Sequence, residues 1–421
     1  MGQIWGSSCR DGVAARPDGF RSDRVVQPCL DPVCVIESIY HQAMHGRITD
    51  RRRYPVPACR FDPDLALWSV PAVGASCRDM VDAACALGRC SNAAHRAPAV
   101  DVARLEHAAV WSLGISSAVP CADPLRELSA RLTLWHPSTP VMAVGRPSMG
   151  GLVQAHRALW AGQRQAGKPR STELPSAVLP RDADGTPCLA PSPRDVLRLG
   201  ASIDRTVSDV AGSLDQALVG AAWFIWAIES TAPLPDGNSE LAWFAAAAWL
   251  SGSAGMPNNI LDLHGSADAE AHRQCRHDLA ASGSVPAWSA HIWRTVARAC
   301  ERATQHLVAL DQARTDLLER ADAMRAPRHP RELVLHLMAS PITDVRQVER
   351  TLGITFAAAN DLVERCISTG ILREVTGRRR GRIYCCDGSA NALGPVTEML
   401  QPSPKSLRTM PTTPASGASA C

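Results

Sequence analysis

From Asp101 onward, apolar and polar positions alternate with the period of helices. VARLEHAAVWSL reads as one helix. DPLRELSARLTLW, with Leu125, Leu128, Leu132 and Trp135 spaced among polar residues, reads as a second, and Pro120 and Pro124 break the connection between them. GGLVQAHRALWAGQ continues the pattern. A Pro-, Gly- and Asp-rich stretch, GKPRSTELPSAVLPRDADGTPCLAPSP, then predicts a long loop with room for a short hairpin. Loops of this length inside a compact domain commonly carry function. SPRDVLRLGASIDRTV opens the next helix. GSLDQALVGAAWFIWAIES is apolar nearly all round, as a buried central helix must be, and ELAWFAAAAWLSG predicts a second buried helix ending at Gly252. A long amphipathic helix beginning at PAWSAHIW places Trp293, Val296, Ala297, Cys300, Leu307, Leu310 and Leu317 along one face.

The pattern changes again at residues 326–387. HPRELVLHLMAS predicts a helix, and Asp344–Leu352 a second that turns Val345, Val348 and Leu352 inward and stops at Gly353. A third helix starts after Thr355, carries Ala358, Leu362, Val363 and Ile367 inward, and ends at Gly370. ILREV and RIYCC are short β-rich runs joined by TGRRRG, a hairpin with a basic tip. Helix, helix–turn–helix and a two-stranded wing together make a winged helix-turn-helix. The fold class expected is therefore mainly α, a helical bundle over 101–325 followed by this module with its small β-hairpin. Residues 1–100 are rich in Arg, Cys and Pro and stay unassigned apart from a helix expected around Pro32–Met44. Residues 388–421 form a Ser/Thr/Pro-rich tail too poor in apolar side chains to pack.

Composition alters this picture little. The chain is 46% hydrophobic and 20% charged with a net charge of +3, so attraction to nucleic acid has to come from a local patch. The fifteen cysteines include no CxxC pair and are odd in number, which speaks for free thiols in a reduced compartment, the cytoplasm by default. The N-terminus lacks the apolar run of a secretory signal and no stretch is long and apolar enough to span a membrane. His264, His272, Cys275 and His277 cluster as metal ligands could, but the spacing of His272, Cys275 and His277 does not place all three on one helical face, which argues against a site. Trp223, Trp226, Trp243 and Trp249 lie in the two apolar helices and read as core.

Chemistry concentrates where those two helices meet, in TAPLPDGNSELAW. The Asp236-Gly237-Asn238 turn immediately precedes a helix, so backbone N–H groups and the positive end of the helix dipole point at whatever lies above it, which suits an anion. Asp236 could hold a Mg²⁺ between phosphate oxygens. Ordinary turn chemistry, with Ser239 as helix N-cap, explains the same residues equally well.

The order of features resembles the Fic (Fido) family, whose members move a nucleotide monophosphate, usually AMP from ATP, onto a protein hydroxyl. That family's motif, His-Pro-Phe-x-Asp/Glu-Gly-Asn-Gly-Arg-x-x-Arg, falls on Ala232 to Trp243. Upstream, GGLVQAHRALWAG resembles the family's IREIHRILLAG-type helix, with Val153, His156 and Leu159 in matching places, and PSPRDVLRL resembles its PPxxV segment. The departures lie on the chemistry. The resemblance implies a general-base histidine where this chain has Ala232, and two triphosphate-clamping arginines where it has Glu240 and Trp243. Pro233 and the nucleotide-loop residues Asp236, Gly237 and Asn238 persist. The family's inhibitory helix finds no counterpart, since AVWSLGISSAVP has no glutamate.

The C-terminal segment resembles the winged helix that often ends Fic proteins. In that fold the third helix enters the DNA major groove and the wing meets phosphates. Thr355, Asn360 and Arg365 would face the groove, and Arg378, Arg379, Arg380 and Arg382 the phosphates, against negative charge from Asp361 and Glu364. The resulting expectation is a catalytically degenerate Fic-like protein that binds double-stranded DNA or regulates through its winged helix, with an unknown protein partner. Two alternatives stand beside it. One is residual protein AMPylation with Mg-ATP, using Asp236 and a recruited base such as His264; the other is a non-catalytic interaction scaffold.

Overall fold

The structure is a computed structural model, and it describes residues 47–49, 60–62, 78–111, 145–160, 164–178, 188–210, 212–282, 285–377 and 379–392. The helices expected at Pro32–Met44 and over 123–135, the residue Arg378, and the tail beyond 392 lie outside the described residues.

The protein is mainly helical. At its centre α5 (Leu214–Thr231) and α6 (Asn238–Ser253) form an antiparallel pair buried on nearly every side, as their all-round apolar sequences require. Small residues let the pair close up. A Cβ at Gly220 would lie 2.3 Å from the ring of Trp249, and Ala245 to Ala248 are all buried. Among the described residues four helices precede this pair: α1 (Arg78–Arg96), α2 (Ala99–Trp111), α3 (Met149–Leu159) and α4 (Val196–Asp209). After it come α7 (Leu263–Ser266), α8 (Ala269–Ser282) and the 38-residue α9 (Val285–Asp322). The predicted core tryptophans are buried, and α9 adds two more. The indole N–H groups of Trp288 and Trp293 donate to the Ala222 and Leu218 carbonyls at 2.9 and 3.1 Å, each meeting its polar need on the backbone of α5.

In the loop between α3 and α4, where a short hairpin is expected, an isolated antiparallel bridge joins Pro175 and Leu189. In the region left unassigned, β1 (Arg47–Thr49) pairs antiparallel with β2 (Arg60–Asp62). More consequentially, α1 packs along α9 and buries Met80, Ala83, Ala86, Leu87, Cys90 and Ala94. The helical body therefore begins by Arg78 and not at Asp101. The reason is compositional: the buried stripe of α1 is largely Ala, Cys and Ser, too weakly apolar to stand out in an Arg-rich background.

The C-terminal module follows as α10 (Arg328–Ala339), β3 (Ile342–Thr343), α11 (Val345–Leu352), α12 (Phe356–Ser368), β4 (Arg373–Glu374), β5 (Tyr384–Cys385) and α13 (Asp387–Asn391). The strands form one antiparallel sheet in the order β3-β5-β4. Gly353 stops α11 in the left-handed region with φ of 63°, and Thr355 caps α12 by accepting from the Ala358 N–H. On α12 the expected Leu362 and Val363 are buried and Ile367 is half-buried, and only Ala358 departs from expectation. Ala359 is buried and Ala358 is exposed, because the buried stripe runs through Ala359, Leu362, Val363 and Cys366.

Packing runs across the expected boundary at 325/326. The buried Arg104 guanidinium on α2 donates to Ser389 Oγ at 2.7 Å and to its carbonyl at 3.0 Å, while Asp101 pairs with Arg314 of α9. Ser389 in turn donates to the Leu337 carbonyl of α10. Ser389 and Ala390 are buried although they lie beyond the tail boundary expected at 388.

Candidate functional site

The α5–α6 connection is held in place from three sides. Thr231 ends α5, and Ala232 turns the chain in the left-handed region with φ of 43° and ψ of 62°, a conformation strained for a residue with a Cβ. Buried Arg170 braces this turn. Its Nε donates to the Ala232 carbonyl at 2.5 Å, its two terminal nitrogens to the carbonyls of Thr172, Pro191 and Thr231, and its own N–H to the Pro233 carbonyl at 3.0 Å. Asn238 closes the loop from within: its side-chain oxygen accepts from the Leu234 N–H and its amide donates to the Leu234 carbonyl, both at 2.9 Å. Asn238 thus serves the loop's own backbone.

Asp236 and Gly237 face α3. Buried His156 accepts from the Gly167 N–H at Nδ1 (2.9 Å), which leaves the proton on Nε2 to donate to Asp236 Oδ1 at 2.7 Å. The Asp236 side chain remains 48% exposed, so its other oxygen has access to solvent. Trp160 stacks on His156, with ring centroids 4.7 Å apart, and lies directly over Gly237, where a Cβ would be 2.3 Å from the indole. Gly237, with φ of 63°, is thus required both by its conformation and by this close approach. The indole covers one side of the turn.

Beneath the loop lies a buried charged network. Ser239 donates to Glu229 Oε1 at 2.5 Å; His272 of α8 approaches both Glu229 oxygens at 3.1 Å; Arg276 reaches Oε2 at 3.3 Å. Burial alone would raise the Glu229 carboxyl, but the His272 charge and hydrogen bond, the Arg276 charge and the Ser239 hydroxyl together draw it down to about 2. His291, adjacent to His272, is drawn down to about 4, first by burial and then by the charges of His272, Arg298 and Arg294. Trp243, in the position that the resemblance gives to an arginine, sets its ring edge-on to His272 at 5.0 Å.

His156 was matched in sequence, and the structure brings it to Asp236. Arg170, Trp160 and Glu229 carry no signal in the sequence, since a lone arginine in a loop and a glutamate inside an apolar helix have no telling spacing. His264, the alternative base, sits on α7 with a buried Nδ1 that has no hydrogen-bond partner. His272 is committed to Glu229, and among the described residues no group of three or more His, Cys, Asp or Glu is placed to hold a metal.

A second candidate site is the C-terminal module. Arg379 and Arg380 are exposed at the β4–β5 hairpin tip, between Gly377 and Gly381, both with φ of 63°. Arg382 lies 3.5 Å from Glu364 on α12, and Arg373 forms a two-point pair with Asp387. On α12, Thr355 spends its hydroxyl on the cap, Asn360 is half-buried, and Arg365 donates to the Arg325 carbonyl at 3.0 Å. Ala358, Asp361, Glu364 and Arg365 line an open groove. The face expected to read bases is therefore acidic at its centre.

No family model matches the chain, and no curated protein matches it. Among solved structures, a Fic family protein from Desulfovibrio desulfuricans G20 is similar with a TM-score of 0.37 and 14% identity, over 74% of this chain and 97% of that one. A likeness at that level adds nothing to the reading from the residues. No helix in the described residues is long and apolar enough to cross a membrane.

Proposed function

We propose that the protein is a catalytically degenerate Fic-like protein that binds double-stranded DNA through the hairpin tip of a C-terminal winged helix, by phosphate contact. The observation that carries the DNA-binding part is the pair of exposed arginines, Arg379 and Arg380, on a glycine-flanked tip. Such a tip presents donors to phosphate oxygens without base readout. The acid on α12 argues in the same direction. Asp361 and Glu364 would repel phosphates in a groove-inserted pose, so contact falls to the tip and sequence preference is weak.

Three features of the loop support the loss of transfer. Ala232 cannot take a proton from a target hydroxyl. Asp236 Oδ1 is occupied by His156, and Trp160 lies over the turn whose amides would face phosphate. Glu240 and Trp243 supply no cationic clamp. These residues do not fit Mg-ATP, and the loop works as a scaffold. The test is titration of a labelled duplex with the full chain. Salt-sensitive binding that is lost in the Arg379→Ala/Arg380→Ala variant is expected, and its absence in the unmodified protein at low salt overturns the reading.

The exposed second oxygen of Asp236 favours one rival, residual nucleotide transfer with Mg²⁺. Labelled ATP transferred to protein by the wild type and not by Asp236→Ala would establish it. No transfer by either is the outcome expected here.

A further inference from the structure

The β4–β5 hairpin stands on a foot that the helical body holds. Arg373 pairs with Cys385 and Glu374 with Tyr384, and the Val375 N–H donates to the Ile383 carbonyl at 2.9 Å. The connection beyond that bond, from Thr376 to Arg382, is short. The orientation of the foot therefore sets where Arg379 and Arg380 point. From β5 the chain passes straight into α13, which is bonded on three sides. Asp387 makes its two-point pair with Arg373 of β4 at 2.5 and 2.8 Å. The Cys386 N–H donates to the Pro341 carbonyl, next to β3, at 2.7 Å. Ser389 joins two helices at once: its hydroxyl accepts from Arg104 of α2 at 2.7 Å and donates to the Leu337 carbonyl of α10 at 2.9 Å.

Arg104 is the telling member of this set. Its guanidinium is buried, yet its two terminal nitrogens go to neutral oxygens of a single residue 285 positions away, the Ser389 hydroxyl and, at 3.0 Å, the Ser389 carbonyl. Asp101, one turn earlier on α2, is buried as well and pairs with Arg314 of α9. Apolar side chains could hold the body and α13 together without a buried cation. What the planar guanidinium adds is direction, since two donors on one residue admit one orientation. We propose that α13 is the mount through which the helical body holds the hairpin, and that Arg104 is a positioning residue for Arg379 and Arg380. This rests on the reading that the two tip arginines contact duplex phosphates. With the mount intact the tip meets DNA already oriented. With the mount loosened, binding has to order the hairpin first, so affinity falls while the number of phosphates contacted stays the same.

The experiment compares the full chain as wild type, Ser389→Ala and Arg104→Met by two readouts. Hydrogen exchange read by mass spectrometry, without DNA, tests the mount itself. Exchange over 373–377 and 383–392 should quicken about tenfold in both variants, with α5 and α6 as protected as in the wild type. Anisotropy with a labelled duplex tests the consequence. Affinity should fall roughly tenfold at an unchanged slope of log K against log salt, whereas Arg379→Ala and Arg380→Ala make that slope shallower. Asp387→Asn supplies the sign: removing a negative charge strengthens binding on electrostatics alone, and the mount predicts weaker binding because Arg373 loses its partner. Unchanged exchange in both variants would overturn the proposal, as would wild-type affinity in Ser389→Ala or tighter binding by Asp387→Asn. If the wild type binds no DNA, the phosphate reading falls by itself, and the exchange rates alone decide whether α13 is the mount. Ser389→Ala, which removes one hydroxyl and no charge, carries the test if Arg104→Met fails to fold.

Discussion

Glu229 should hold the loop and α8 together, and its removal can be worked through. The carboxylate is buried and faces His272, Arg276 and Ser239. Drawing a carboxyl from 4.5 to about 2 corresponds to roughly 3 kcal/mol of stability at neutral pH. Breaking a buried charge pair from one side typically costs about 3–5 kcal/mol, because the abandoned cations remain buried. The two magnitudes agree in size. Glu229→Gln keeps an acceptor for Ser239, removes the charge, and turns the oxygen that faces Arg276 into a donor. The sign follows from the lowered carboxyl: its stabilisation is complete above about pH 4.5 and is lost as pH falls toward 2. Urea unfolding of wild type and Glu229→Gln at pH 7 should differ by about 3 kcal/mol, and the difference should shrink steadily below pH 4.5. Equal stability at pH 7, or a difference undiminished at pH 3, would refute the reasoning.

Other perturbations probe separate parts of the account. Arg170→Ala leaves the carbonyls of Thr231, Ala232, Thr172 and Pro191 without their shared donor and should cost at least about 3 kcal/mol by chemical denaturation, with Arg170→Lys recovering only a minor part because an ammonium cannot span them. His291, drawn down to about 4 from 6.5, is folded in its neutral form, so its contribution is complete above pH 6.5 and declines toward pH 4 with a slope of up to about 1.4 kcal/mol per pH unit; His291→Phe should flatten that slope in thermal or urea melts. Glu364→Gln releases Arg382 and removes a charge that repels phosphate, so duplex affinity at low salt should rise roughly threefold, measured by anisotropy.

The sequence made some of this legible and hid the rest for physical reasons. The all-round apolar character of 214–231 and 238–253 predicted the central pair, and Gly353 and Thr355 marked the ends of α11 and α12. Residues 78–96 did not announce themselves, because a helix packed through Ala, Cys and Ser needs little hydrophobicity when its partner, α9, supplies the bulk. The loop's chemistry could be read as a motif with substituted residues. What could not be read was how it is supported: Arg170 lies 62 residues from the carbonyl it braces, Ala232, and His156 lies 80 from Asp236. Nor does spacing reveal that Thr355 accepts from the Ala358 N–H and Arg365 donates to the Arg325 carbonyl, while Arg379 and Arg380 face outward at the hairpin tip.

The measurement that bears most directly on the account is the salt dependence of duplex binding by the full chain. Anisotropy across a salt series should give a linear fall of log K with log salt concentration, and Arg379→Ala and Arg380→Ala should each make the slope shallower by about one phosphate contact, with little change between unrelated duplex sequences. An unchanged slope in both variants, or no binding by the unmodified protein at low salt, would contradict the claim that this protein acts on DNA through its hairpin tip.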